Sequence, residues 1–232
     1  MAIFQAVLFD LDDTLYPERA YVRSGFKAAA AWAEQELGID RGTGFEELWA
    51  YFVAGVRGNT YNLWLESHGI KEDQWIPKLV DVYRSHKPDI EPYPGVRELL
   101  ETLQKRTKLG LITEGHTAAQ RNKLAALGLE SMFPVIVITG MENREFWKPH
   151  TRPYITALDA LGVEAADSVY VGDNPRKDFF GARQLGMGTV RVKWPPGLNT
   201  PLQAESAANE ADATITDLNN LQEVLASFEE ES

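Results

Sequence analysis

The chain contains no cysteine. That absence excludes a disulfide framework, a thiolate metal site and a cysteine nucleophile, so any metal must sit on oxygen or histidine. Also missing is any apolar stretch near the roughly 20 residues needed to span a bilayer. Met1 to Phe9 has neither the charged start nor the cleavage site of a secretory signal, and the expectation is a cytoplasmic protein that does not engage a membrane. Basic residues are in deficit: 23 Lys and Arg stand against 34 Asp and Glu, for a formal net charge of -11. This balance repels a phosphate backbone, so polymeric nucleic acid is not an expected partner. A small anionic substrate remains compatible, provided a metal ion, helix N-termini or a few basic groups concentrate positive charge locally.

What is there suits a compact protein of one large domain, or of one domain carrying an insertion: 232 residues, 44% hydrophobic and 25% charged. Ile3 to Phe9 is a near-continuous apolar run ending abruptly in acids, as a buried strand of a parallel sheet does. From about Tyr21 to Tyr83 apolar residues recur at helical spacing: Val22, Phe26, Ala30, Ala33 and Leu37, then Phe45, Leu48, Trp49, Phe52 and Val56, then Trp75, Leu79 and Val82. Gly38, Gly58 and Gly69 fall where helix ends are expected.

From Gly95 onward helices and short apolar strands alternate. Strands are expected at Leu109–Ile112, Val135–Ile138, Val169–Val171, Thr189–Val192 and Ala213–Ile215. The fold class is therefore α/β, a doubly wound, Rossmann-like parallel sheet core with an inserted all-helical domain. The core takes residues 1–15 and 91–232, and the insert residues 16–90. The stretch Lys193–Ala211, with Trp194-Pro195-Pro196-Gly197, is long, irregular and without an assigned role.

In open α/β sheets ligands bind beyond the carboxyl ends of the strands, and four polar clusters stand there. Asp10-Leu11-Asp12-Asp13-Thr14 follows Phe9, and an extended backbone would put Asp10 and Asp12 on one side, where a bound cation would relieve their repulsion. The bland alternative is an acidic turn. Thr113-Glu114-Gly115 offers a hydroxyl and backbone N–H groups to phosphate oxygens, or simply caps a helix. Lys148 could neutralise a phosphoryl group, or lie solvated at the surface. Val169 to Gly172 runs into Asp173 and, five positions on, Asp178, which an Asx turn would also explain.

The order of these clusters resembles the haloacid dehalogenase superfamily, with its Asp-x-Asp-x-Thr, Thr or Ser, Lys, and Gly-Asp-x4-Asp motifs. The helical insert between the first and second motifs resembles the cap of the phosphoglycolate-phosphatase-like branch. The resemblance implies a magnesium-dependent phosphatase that hydrolyses a small phosphorylated metabolite through an aspartyl phosphate. The substrate classes implied are a sugar phosphate, a phospho-acid or a nucleoside monophosphate. It makes Asp10 the nucleophile and Asp12 the general acid and base, with Thr113, Glu114, Gly115 and Lys148 around the phosphate. Magnesium would rest on Asp10, Asp12 (through its backbone carbonyl) and Asp173, supported by Thr14 and Asp178.

Within this resemblance Asp13 replaces a frequent Gly, and Glu114 a frequent Asn. Tyr16, Arg19 and Arg23 follow the first motif closely enough to face a substrate. The aromatic residues of the insert, Trp32, Trp49, Trp64 and Trp75, are read as its own core. A dehalogenase is disfavoured because Asp12 is present. The alternatives are a phosphomutase on the same fold and a non-catalytic binding module, and the expected assembly is a monomer or homodimer.

Overall fold

In the computed structural model of the chain, residues 4–71, 74–195 and 197–231 are described. The chain divides into two compact units, Met1–Glu18 with Glu91–Ser232, and Arg19–Ile90. In the first, the described residues form a six-stranded parallel sheet of β1 (Ala6–Phe9), β2 (Lys108–Glu114), β3 (Val135–Thr139), β4 (Ser168–Gly172), β5 (Gly188–Val192) and β6 (Ala213–Ile215). The spatial order is β3-β2-β1-β4-β5-β6. After β1 the chain builds one side of the sheet and then returns to build the other, so strand order reverses at β1, and a crevice opens there at the carboxyl ends.

Parallel strands covered on both faces read as continuous apolar runs, and β1 is fully buried along its length. Ala6 and Leu8, two apart, join Ile112 and Tyr170 on one face, packed by Tyr154, Ala157, Leu158 and Leu161 of α7 (Arg152–Leu161). Helices cover both faces of the sheet, among them α5 (Val96–Leu103) and α6 (Thr117–Leu127). The first strand was expected from Ile3, which lies outside the described residues; the structure starts it at Ala6. Strand β2 runs two residues beyond the apolar segment, because Thr113 and Glu114 still pair with Ile138 and Thr139 of β3. Thr113 is thus the last buried position of a strand rather than part of a loop.

The second unit contains α1 from Arg19 onward (the helix spans Glu18–Leu37), α2 (Arg41–Val53), α3 (Thr60–Ser67) and α4 (Trp75–Ser85). Helix α2 opens on Asp40, whose carboxylate accepts from the Thr43 N–H at 2.8 Å, a side-chain cap. Helix α3 was not expected as a separate element: it has only eight residues and no side-chain cap, so it leaves little periodic signal. It buries Tyr61, Trp64 and Leu65. Trp64 is fully buried and donates to Glu47 at 2.8 Å, while the Trp49 ring stacks on Phe52 with centroids 5.0 Å apart.

Candidate active site

Asp10 is the first residue beyond β1, and its N–H still donates to Val171 O of β4 at 2.9 Å, which fixes the strand end. The chain then turns sharply. Asp13 adopts φ 53°, the left-handed region that Asp tolerates better than most residues. Its carboxylate holds the turn by accepting from the Glu18 N–H at 2.8 Å and the Leu198 N–H at 2.6 Å. A position with this φ explains why Gly is frequent here in the resemblance drawn above and why Asp can stand in for it.

Lys148 is 5% exposed and reaches the end of β1 from the segment before α7. Its ammonium donates to Asp10 Oδ1 at 2.6 Å, Asp178 Oδ1 at 2.7 Å and the Tyr170 hydroxyl at 2.9 Å. Burial alone would lower its pKa, but the facing Asp10 and Asp178 carboxylates outweigh that and hold it well above its ordinary value. Lys148 is therefore a permanent buried cation.

Asp173 follows β4, and Asp178 folds back over the same turn. Asp178 Oδ2 accepts from the N–H groups of Asp173 at 3.1 Å and Asn174 at 2.8 Å. That fold-back requires Gly172, because a Cβ there would meet Asp178 Oδ2 at 2.5 Å. The Asp173 carboxylate accepts from Asn199 Nδ2 at 2.9 Å, and Arg191 Nε donates to the Asp173 carbonyl at 3.0 Å.

A family model described as haloacid dehalogenase-like hydrolase matches residues 7–192, spanning all of these side chains except Asn199. The chain belongs to the haloacid dehalogenase-like hydrolases. A glyceraldehyde 3-phosphate phosphatase of Methanopyrus kandleri is 34% identical over 82% of this chain and 84% of its own. A ribulose-1,5-bisphosphate 5-phosphatase of Halopiger xanaduensis is 31% identical over 95% of this chain and 99% of its own. Among solved structures, a HAD phosphatase from Thermococcus onnurineus matches with a TM-score of 0.61 and 25% identity, covering 95% of this chain and 97% of its own. This hydrolase is a phosphatase.

The remaining expected residues of the hydrolase are placed as follows. Asp12 does not extend into the crevice unaccompanied. Lys123 of α6 (Thr117–Leu127) donates to both its oxygens, at 2.7 and 3.0 Å, Gln120 Nε2 donates at 3.1 Å, and the Tyr16 hydroxyl donates as well. Burial opposes ionisation of Asp12, but the Lys123 charge and these hydrogen bonds outweigh it and hold the carboxyl below its ordinary value. Tyr16 is thus fully buried and engaged with Asp12. Thr113 is buried and accepts from Gln120 at 3.0 Å. Thr14 approaches Asp10 Oδ2 at 3.4 Å.

The Glu114 carboxylate accepts from the Lys148 backbone N–H and from Lys177 Nζ at 3.1 Å. Its charge is spent on these two donors, which explains how an acid is accommodated beside Thr113. Gly115 adopts φ 134°, which only glycine enters easily. In the helical unit, the Arg19 guanidinium lies 5.6 Å from the Trp49 ring centroid and that of Arg23 5.9 Å from Phe45.

Sequence reasoning missed Gln120, Lys123, Arg191 and Asn199. The first two, three apart on a helix, share one face, but that spacing does not tell a carboxylate partner from solvent. Asn199 carried no signal, because no periodicity places a residue of an irregular loop.

The carboxylates of the crevice are under-compensated. Burial, the largest influence, outweighs the Lys148 charge and, with Asp178 and Asp12 nearby, pushes Asp10 up to about 7. Burial first, then the Asp178 and Asp10 charges, raises Asp173 well above its ordinary value despite the Asn199 hydrogen bond. One ammonium thus faces Asp10 and Asp178, with Asp173 close by, a net negative centre built from hard oxygen donors. Magnesium fits such a site, since it is held by one or two carboxylates and keeps several waters. Among the described residues no group of three or more His, Cys, Asp or Glu suited to a metal is found.

Proposed function

We propose that this enzyme hydrolyses a small sugar phosphate, with Asp10 as nucleophile, Asp12 as general acid and base, and magnesium as cofactor. The observation that carries the reading is the buried Lys148 ammonium, 2.6 Å from Asp10 and 2.7 Å from Asp178, at the end of the central strand. A carboxylate attacking a phosphate dianion suffers charge repulsion, and fixed positive charge is what lowers that barrier. The relatives named for glyceraldehyde 3-phosphate and ribulose-1,5-bisphosphate support a sugar phosphate as the substrate class.

In this reading Asp12, ionised in the resting enzyme, first takes up a proton from solvent; Asp10 attacks phosphorus, the bond to the sugar oxygen breaks, and that oxygen takes the proton from Asp12. Water then gives its proton to Asp12 and attacks the phosphoryl group, which leaves Asp10 as phosphate. Lys148 neutralises charge at the nucleophile, and the Thr113 hydroxyl and the turn at Gly115 hold phosphoryl oxygens. Magnesium, held by the Asp10 and Asp173 carboxylates and the Asp12 carbonyl, would supply charge neutralisation on the transferring group. Asp178 acts at one remove, as an acceptor that keeps Lys148 and the Asp173 turn in place. The helical unit is read as the cap domain, the part that selects the substrate by what lies beyond the phosphate.

The test is phosphate release from a panel of sugar phosphates, nucleotides and short phospho-acids, with and without magnesium, for wild type and Asp10→Asn. Release that needs both magnesium and Asp10, and is greatest for sugar phosphates, is the expected result. Retained turnover by a folded Asp10→Asn enzyme would remove the nucleophile assignment. Isomerised product without free phosphate would replace hydrolysis with a mutase.

A further inference from the structure

The acid–base carboxylate is held by a cation that the reaction as described does not use. Lys123 is 6% exposed, an uncommon place for a lysine, and it spans both oxygens of Asp12. Gln120, one turn earlier on α6, shares the two N–H groups of its Nε2 among three acceptors, Asp12 Oδ2 at 3.1 Å, Thr113 Oγ1 at 3.0 Å and the Glu114 carbonyl at 2.5 Å. The Tyr16 hydroxyl donates to Asp12 Oδ1. A carboxylate on a turn has two free side-chain torsions, and donors on three separate side chains fix both.

We propose that Lys123, with Gln120, is a positioning residue for the acid–base step, acting through the orientation of Asp12. Helix α6 then ties two parts of the machinery together: one side chain, Gln120, bonds both the acid–base carboxylate and the Thr113 hydroxyl beside it. The step it serves is balanced as written above: Asp12 gives a proton to the leaving oxygen as the ester bond breaks, and recovers one from water as the aspartyl phosphate is hydrolysed. A misdirected carboxylate fails at both points. The inference rests on the assignment of Asp12 as acid and base.

The proposal predicts a dependence on the leaving group. A sugar alkoxide must be protonated as it departs, whereas p-nitrophenolate departs without help. Lys123→Met should therefore lower kcat/KM for glyceraldehyde 3-phosphate at least about 10-fold more than for p-nitrophenyl phosphate, within the range expected of general acid catalysis. With the aryl ester, hydrolysis of the intermediate should become the slow step, visible as a burst of p-nitrophenolate. Lys123→Arg should restore part of the loss. In the double variant with Asp12→Asn, the Lys123 effect should vanish, since both act as one unit.

Equal losses on the two esters, or losses that add in the double variant, would overturn the proposal and leave Lys123 a packing residue. If Lys123→Met does not fold by circular dichroism, Gln120→Leu carries the same expectation and decides. Asp12→Asn run alone separates the two levels: if it too shows no leaving-group dependence, the acid–base assignment itself fails. If Asp12→Asn is selective and Lys123→Met is not, only the positioning role is lost.

Discussion

Lys148 Nζ lies 2.6 Å from Asp10 Oδ1, and the lysine side chain is 2% exposed. The same ammonium serves Asp178, so one cation stands between two carboxylates. Replacing it by Met leaves both uncompensated. Lys148→Met should lose about 3–5 kcal/mol of stability, as broken buried ion pairs do. It should also lose at least about 100-fold in phosphate release. Urea denaturation near neutral pH measures the first and steady-state turnover the second.

The stability of the metal-free enzyme should fall as pH rises. Burial pushes Asp10 up to about 7 in the folded protein, against 3.8 for an ordinary Asp. A carboxyl with a raised folded-state value binds its proton more tightly in the native state, so its contribution is complete below about pH 4 and is lost as pH climbs through about 7. Denaturation midpoints in a chelator should accordingly drop across that interval. Magnesium needs the ionised carboxylates, so the midpoint shift it produces should grow over the same interval. Midpoints that rise with pH in the chelator, or a magnesium shift that shrinks, would contradict the charge balance described.

Asn199→Ala should weaken magnesium binding about 10–100-fold, the usual effect of removing a group that orients a metal ligand. The lost contact is the 2.9 Å hydrogen bond to Asp173 Oδ2. Titration calorimetry with magnesium alone reads this directly. Turnover at saturating magnesium should suffer much less, and a loss that magnesium does not repair would assign Asn199 another role.

In the helical unit, Trp64→Ala should cost about 3–5 kcal/mol, the range for emptying a large aromatic site. Trp64 is fully buried, and even a Cβ on Gly44 would meet its ring at 2.9 Å. Trp64→Phe should cost less, keeping most of the volume but losing the hydrogen bond to Glu47. Denaturant unfolding of both variants checks the ranking; an undisturbed Trp64→Ala would mean the site collapses around the gap.

Much of the fold was legible because strands buried on both faces write continuous apolar runs. Ala6–Phe9 and Ser168–Gly172 end in acids at the places where sequence alone locates the crevice. The helical insert was legible from spacing, but its short α3 was not. Asp10, Thr113, Lys148 and Asp173 were nameable because each sits where an apolar run stops or where a motif places it. Lys123 and Gln120 were not, because a polar residue on a helix looks the same whether it meets water or a carboxylate. Arg191 hides within β5, where a strand run gives no hint that a guanidinium donates to the Asp173, Asn199 and Leu202 carbonyls. The irregular stretch after it holds the machinery from the outside. Trp194 Nε1 donates to the Thr14 carbonyl at 3.1 Å, and its ring stacks on Tyr93 with centroids 4.1 Å apart. Only tertiary proximity could assign that work to it.

The Tyr93 N–H donates to the Leu15 carbonyl at 2.9 Å, so the chain departs from the sheet-bearing unit and re-enters it at neighbouring points. A host with its exit and entrance stitched together does not need its guest to close the gap, and domain insertions are tolerated at such junctions. The helical segment can in consequence be treated as a cassette. Lineages could trade one bundle for another, and an engineer could graft a foreign one, while Asp10, Lys148 and Asp173 keep the same partners.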